Sequence, residues 1–438
     1  MELQKYSNYN RLMIFSWLIL ATTLLLPGNA FSQEENKTMP DTSVTEKPIP
    51  ADEELPEPEK KDPWNVFDFG FTTMRLGGGY ILDYVTYLQD DKGKIQSDSL
   101  NIDLKPTFAT RDFRFLVNGY FKTKMPIQWK LAIMFDGDNR EWLVRETGLV
   151  FTLKKINSQV YIGRTKEGFS MPKIMNGHSP WTMERQMALD LIPIMADGIR
   201  LYTYLPKSRV FWTLAAFNDV ISHEQKFSTF KEQYLVRLGW LPFYDKEANR
   251  LLHIAGYYRY GKTENGNFRV RSRPESNPTP YFIDTETFPS DHSISYGGEI
   301  YFNSGSFQFG TEYYVHNFYS DVGDDHVFPG GDISLSYIFT GEDRPYNTTG
   351  NIYGFVPVKK PLGKDGFGAW EGVLRFSTFD LDDGTIHGGS MWRITPMVNW
   401  YMNKIIRMEF VYGYSVLDRF GIKGGTHFFQ SRIQFTIG

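Results

Sequence analysis

The chain of 438 residues contains no cysteine, which excludes a disulfide framework and lipid attachment through a cysteine. Beyond residue 26 it has no apolar run long enough to cross a membrane as a helix, which takes about 20 residues. It also lacks a charge bias once its front part is set aside. Residues 1–62 hold 6 Lys+Arg and 11 Asp+Glu, so of the chain's 47 and 51 the rest keeps 41 basic against 40 acidic residues. Bulk charge therefore points to no acidic or basic partner. The eight histidines are scattered without His-x-x-x-His spacing, so no metal site is expected. Gly77-Gly-Gly79 lacks phosphate-cradling spacing and reads as relief of crowding inside a strand. Asp136, Asp138 and Glu141, and Asp380, Asp382 and Asp383, read as solvated loop acids rather than Ca²⁺ ligands. No catalytic constellation, cofactor site or nucleic-acid motif stands out.

What is present is alternation. In 404–416, Ile406, Met408, Phe410, Tyr412 and Tyr414 fall on one face of a strand and Arg407, Glu409, Gly413 and Ser415 on the other. In 426–437, Phe429, Ile433, Phe435 and Ile437 oppose Gln430, Arg432, Gln434 and Thr436. An oily exterior around a charged interior is the pattern of a transmembrane β-barrel. A water-soluble β-sandwich also alternates. It does not crowd strand ends with aromatics such as Trp392, Trp400, Tyr401, Tyr412, Tyr414, Phe428 and Phe429, which read as interfacial girdle residues.

Strand-like runs number 16: 69–88, 105–121, 126–135, 145–153, 158–164, 197–205, 209–217, 233–241, 251–260, 293–302, 306–316, 331–340, 368–379, 391–401, 404–416 and 426–437. The fold class is thus all-β, an antiparallel barrel whose even count leaves both ends on one side. Short links at 206–208, 303–305 and 402–403 alternate with long ones at 218–232, 261–292 and 317–330. The link 341–367 is long where parity predicts a short turn.

In front of the barrel, residues 63–438, two segments differ. Residues 1–32 read as a cleaved signal: Lys5 and Arg11 precede an apolar stretch, then Pro27, Gly28 and small residues. Residues 33–62, rich in Pro and acids, read as a flexible periplasmic tail.

The face opposite the apolar one should line the bore. It carries Arg114, Lys130, Arg200, Arg237, Arg259, Arg375, Arg393, Arg407 and Arg432 against Glu299, Glu312, Glu371 and Glu409. A cation-rich wall favours anions. Alternatively these charges pair across strands and stiffen the wall. The long links add Lys166, Lys173 and Arg185, then Arg269, Arg271 and Arg273, then Arg344, Lys359, Lys360 and Lys364. Folded inward, they would narrow the bore.

The runs Gly163-Arg-Thr-Lys-Glu-Gly-Phe169 and Trp181-Thr-Met-Glu-Arg185 resemble the third-loop signature of the phosphate-selective porins O and P. So do Ser336-Tyr-Ile-Phe-Thr-Gly-Glu-Asp-Arg-Pro-Tyr346, Gly368-Ala-Trp-Glu-Gly-Val-Leu-Arg-Phe-Ser377 and Val398-Asn-Trp-Tyr-Met-Asn403. The resemblance implies an outer-membrane homotrimer inserted into lipid by the barrel assembly machinery, with small anions, phosphate or polyphosphate among them, as permeants. It implies that the third and fifth loops and a periplasmic turn fold into the lumen. Lys359, Lys360 and Lys364, with Lys166, Lys173, Arg185 and Arg344, then become constriction candidates. A surface adhesin or glycan-binding barrel with a closed bore is the alternative reading.

Overall fold

Sixteen antiparallel staves close into a barrel because each presents apolar side chains outward and polar ones inward, and because the first pairs with the last. The computed structural model describes residues 63–221, 230–363 and 365–437. The signal at 1–32 and the tail at 33–62 lie outside the described residues. The staves are β1 Thr73–Gln89, β2 Thr107–Phe121, β3 Ile127–Asp136 and β4, which is interrupted between Glu141–Val144 and Thr147–Leu153. They continue with β5 Ser158–Lys166, β6 Met195–Leu205, β7 Val210–Asn218, β8 Phe230–Asp245, β9 Arg250–Thr263 and β10 His292–Ser304. The last are β11 Phe307–Tyr319, β12 His326–Ile338, β13 Ala369–Asp383, β14 Ile386–Tyr401, β15 Ile406–Arg419 and β16 Ile422–Ile437. Closure runs from Gly78 opposite Ile437 to Gln89 opposite Thr426.

The outer surface is an apolar belt. Leu131, Ile133, Ile162, Ile199, Leu238, Ile254, Leu335 and Leu374 are all exposed, a surface that a chain in water would have to bury. Among the described residues no helix is long and apolar enough to cross a membrane. Two of the expected girdle residues face the other way. Tyr401 and Phe428 are buried inside the barrel, because the strict period of two puts them on the same face as Arg407 and Arg432.

The link lengths differ from expectation as well. The staves run past the apolar belt, so 317–330 shrinks to 320–325, and 384–385 and 420–421 are tight turns at the loop-bearing end. Asp380, Asp382 and Asp383 lie in β13 rather than in a loop. Among the described residues no cluster of His, Asp or Glu is arranged to hold a metal ion. The link 339–368 is long at the end that carries the short turns, as parity demanded.

Candidate functional site

The loop 167–194 leaves β5 and folds into the barrel, drawn in by two apolar clusters. Met171, Met175, Trp181 and Met183 pack with Tyr301, Val373, Met397 and, from the 339–368 turn, Tyr346 and Tyr353. Met187, Leu189, Leu191 and Ile192 pack with Phe268, Val270, Phe282 and Ile283 of the 264–291 loop, which carries the hairpin Asn267–Ser272 with Ile283–Pro289. Two lysines peg the loop to its own backbone: Lys166 Nζ donates to the carbonyls of Ile174 and Met175 (both 2.9 Å), and Lys173 Nζ to that of Ile192. His178 seats against β1 where Gly79 leaves room, for a Cβ there would meet the imidazole at 2.2 Å. That contact gives the Gly77-Gly-Gly79 run its crowding-relief role.

All nine wall cations project into the barrel interior, and most are neutralised there. Arg237 Nε donates to Glu299 (3.0 Å), Arg375 meets Glu275 (2.5 Å), Arg407 meets Glu409 (2.5 Å) and Arg432 meets Asp83 (2.6 Å). Arg259 pairs with Glu167, and Arg114 with Asp112 at 2.6 Å. Lys130 and Arg200 each approach the Tyr161 ring at 5.8 Å. Arg393 has no carboxylate partner among the described residues. The pairing alternative therefore describes most of the wall, and these groups fix the loops more than they offer free charge.

Free charge gathers elsewhere. A cavity of about 850 Å³ lies between the 167–194 loop, the β2–β4 wall and the 264–291 hairpin. Arg111, Arg114, Arg145, Lys173, Arg185, Arg269, Arg271 and Arg273 line it against Asp112, Asp136, Asp138, Glu184, Asp190 and Glu275. Arg111 pairs with Glu184, and Arg273 with Asp138 (2.6 Å). Arg145, Lys173, Arg185 and Arg271 have no carboxylate partner among the described residues. Arg145 reaches only Met134 Sδ, Arg185 Nε donates to the Pro172 carbonyl (2.7 Å), and Arg271 lies over the Tyr281 ring at 4.1 Å. Burial, and then repulsion from Arg185, pulls the Lys173 ammonium down to about 7. Burial opposes the charge of Glu184, yet Arg111 and Arg432 overcome it and hold that carboxyl below its ordinary range.

The sequence-predicted cations thus separate. Lys173, Arg185 and Arg114 line the cavity, whereas Lys166 is buried behind it. The turn lysines expected at a constriction, Lys359 and Lys360, are exposed in the 339–368 turn and do not line this cavity, and Lys359 Nζ donates to the Gly341 carbonyl. Lys364 lies outside the described residues. The cation that this turn does carry inward is Arg344, whose Nη2 donates to both Glu371 oxygens (2.9 Å) and whose Nη1 donates to the Ser179 carbonyl (3.0 Å). Two cavity cations escaped alternation. Arg111 is the extra residue of a bulge opposite Ile81 and Leu82, so both Arg111 and Asp112 turn inward. Arg145 sits in the break of β4.

A family model for the phosphate-selective porins O and P matches residues 88–436. An uncharacterized protein of Caulobacter vibrioides is 30% identical over 146 residues, 33% of this chain and 29% of that relative's own length. Among solved structures, the anion-selective porin from Comamonas acidovorans is 12% identical with a TM-score of 0.52, covering 83% of this chain and 99% of that one. OmpF of Salmonella typhi, in complex with daunomycin, is 12% identical with a TM-score of 0.51, covering 84% and 100%. The in-vitro folded outer membrane protein OmpT of Vibrio cholerae is 10% identical with a TM-score of 0.53, covering 85% and 99%. These likenesses are of fold, whereas the family match spans most of the chain. The chain belongs to the phosphate-selective porin O and P family, and its fold and family place it among the porins of the bacterial outer membrane.

Proposed function

We propose that this porin passes small anions passively down their gradient, with phosphate-sized oxyanions within its range. The observation that carries the reading is the set of four cavity cations, Arg145, Lys173, Arg185 and Arg271, that lack a carboxylate partner among the described residues. Several partly hydrated cations in series attract an anion and replace part of its water, while no single one holds it tightly enough to stop its exit. Low-dielectric walls focus that field further. In this reading the protein is a homotrimer in the outer-membrane lipid, folded by the barrel assembly machinery. The likeness in fold to a Vibrio cholerae outer membrane protein in trimer form supports that assembly.

Planar-bilayer recording in a KCl gradient tests the reading. A reversal potential of the sign set by chloride is expected. Cation preference would overturn the anion reading, and absence of conductance the channel itself.

A further inference from the structure

Arg375 on β13 and Arg393 on β14 stand side by side inside the barrel, and both are buried. Arg375 is in register with Thr395, and Thr395 Oγ1 accepts a hydrogen bond from Arg393 Nε at 3.0 Å. Glu275 is bound to Arg375 Nη2, and Asp332 of β12, in register with Ser377, lies within electrostatic reach of Arg375 as well. Among the described residues Arg393 has only neutral contacts. Its Nη2 donates to Gln430 Oε1 (2.7 Å), its guanidinium lies 4.7 Å from the Phe428 ring centre, and its Nη1 has no hydrogen-bond partner among the described residues.

The surroundings favour negative charge at that nitrogen. Ser377 and Ser415 flank Arg393 in register on the two neighbouring staves, each buried with an unpartnered hydroxyl. The guanidinium lies close against β15 because position 413 is glycine, where a Cβ would meet Arg393 Nη2 at 2.2 Å. Arginine does not shed its proton, so Arg393 keeps a positive charge out of contact with bulk water and touching no carboxylate among the described residues. A buried unpaired charge is strongly unfavourable. Water would satisfy the donors and leave the charge.

We propose that Arg393 holds a small monovalent anion of the halide class, occluded between β14 and the inward-folded loops. This anion is a structural part of the folded barrel and not one in transit, so the site stands apart from the permeation reading and could exist in a barrel that conducts cations.

Two measurements on the full detergent-solubilised protein test it. Crystals grown in sodium bromide should show an anomalous peak in contact with Arg393 Nη1. In solution, replacing sodium gluconate by sodium bromide at fixed ionic strength should raise the unfolding temperature. That rise should be lost in Arg393→Gln and kept in Lys173→Gln, which alters the cavity instead. Bromide peaks confined to exposed lysines, an adventitious ion only, would overturn the proposal. So would an equal rise in Arg393→Gln. If that variant does not fold, the anomalous map of the native protein decides alone.

Discussion

Arg111 of β2 and Glu184 of the 167–194 loop form a two-point pair, Nε to Oε1 at 2.6 Å and Nη2 to Oε2 at 2.8 Å. The same carboxylate accepts from Arg432 of β16, which is itself bound to Asp83 of β1. One loop side chain therefore ties the inward fold to staves on both sides of the closure seam.

Removing that charge should loosen the loop. Glu184→Gln leaves two guanidiniums short of an acceptor, and breaking a buried pair costs about 3 kcal/mol. The expected outcome is a lower unfolding temperature together with a stronger anion preference, because the cavity loses one negative charge. Heat-modifiable mobility on gels and the reversal potential read the two effects. If both stay at their native values, Glu184 does not anchor the loop.

Arg185 and Lys359 offer a contrast between a cavity cation and a surface one. Arg185→Glu replaces an unpaired cation on the cavity wall and should move the reversal potential towards cations. Lys359→Glu alters an exposed residue on the turn and should leave it unchanged. An equal shift in both variants would mean that selectivity follows total charge and not the cavity.

Much of this architecture was legible in the sequence, since a period of two survives wherever one face meets lipid and the other meets polar groups. It faded at the loop-bearing end. There β13 continues through Asp380 to Asp383 with polar residues on both faces, so the ladder persists after the pattern stops. Alternation also fails at a bulge, which hid Arg111. Residue type misled at Phe428, whose aromatic character suggested the interface although its parity places it inside, against Arg393. The pairing of the wall cations was out of reach for another reason. Partners such as Glu275 and Glu167 come from loops distant in sequence, and only the folded loops bring them to Arg375 and Arg259. The turn lysines show the same limit: the length of the 339–368 link was informative, but which of its cations turns inward was not.

Selectivity should depend on pH through Lys173. Burial and the neighbouring Arg185 bring its ammonium down to about 7. Below that pH it is protonated and adds to the cavity's positive charge; above it the charge is lost. Anion preference should therefore decline as pH rises through about 7, and Lys173→Arg should flatten the step because a guanidinium stays charged. Reversal potentials taken on either side of pH 7 for the native protein and the variant provide the check. A step of the same size in both would assign the titration to another group.

Neighbouring residues in the middle of β8 put the membrane assignment itself to the test. Arg237 is wholly buried and paired with Glu299, whereas Leu238, one residue on, points outward and is 56% exposed. An arginine on the lipid face near the midplane costs about 2–4 kcal/mol. Leu238→Arg should thus reduce the folded, heat-modifiable protein recovered from the outer membrane, while Leu238→Phe should be recovered at native levels. A barrel standing in water would respond in the opposite order, because an exposed arginine is harmless there and a larger exposed aromatic is not. Full recovery of Leu238→Arg would therefore argue that this face of β8 does not contact lipid, and would point to its being covered by another protein surface.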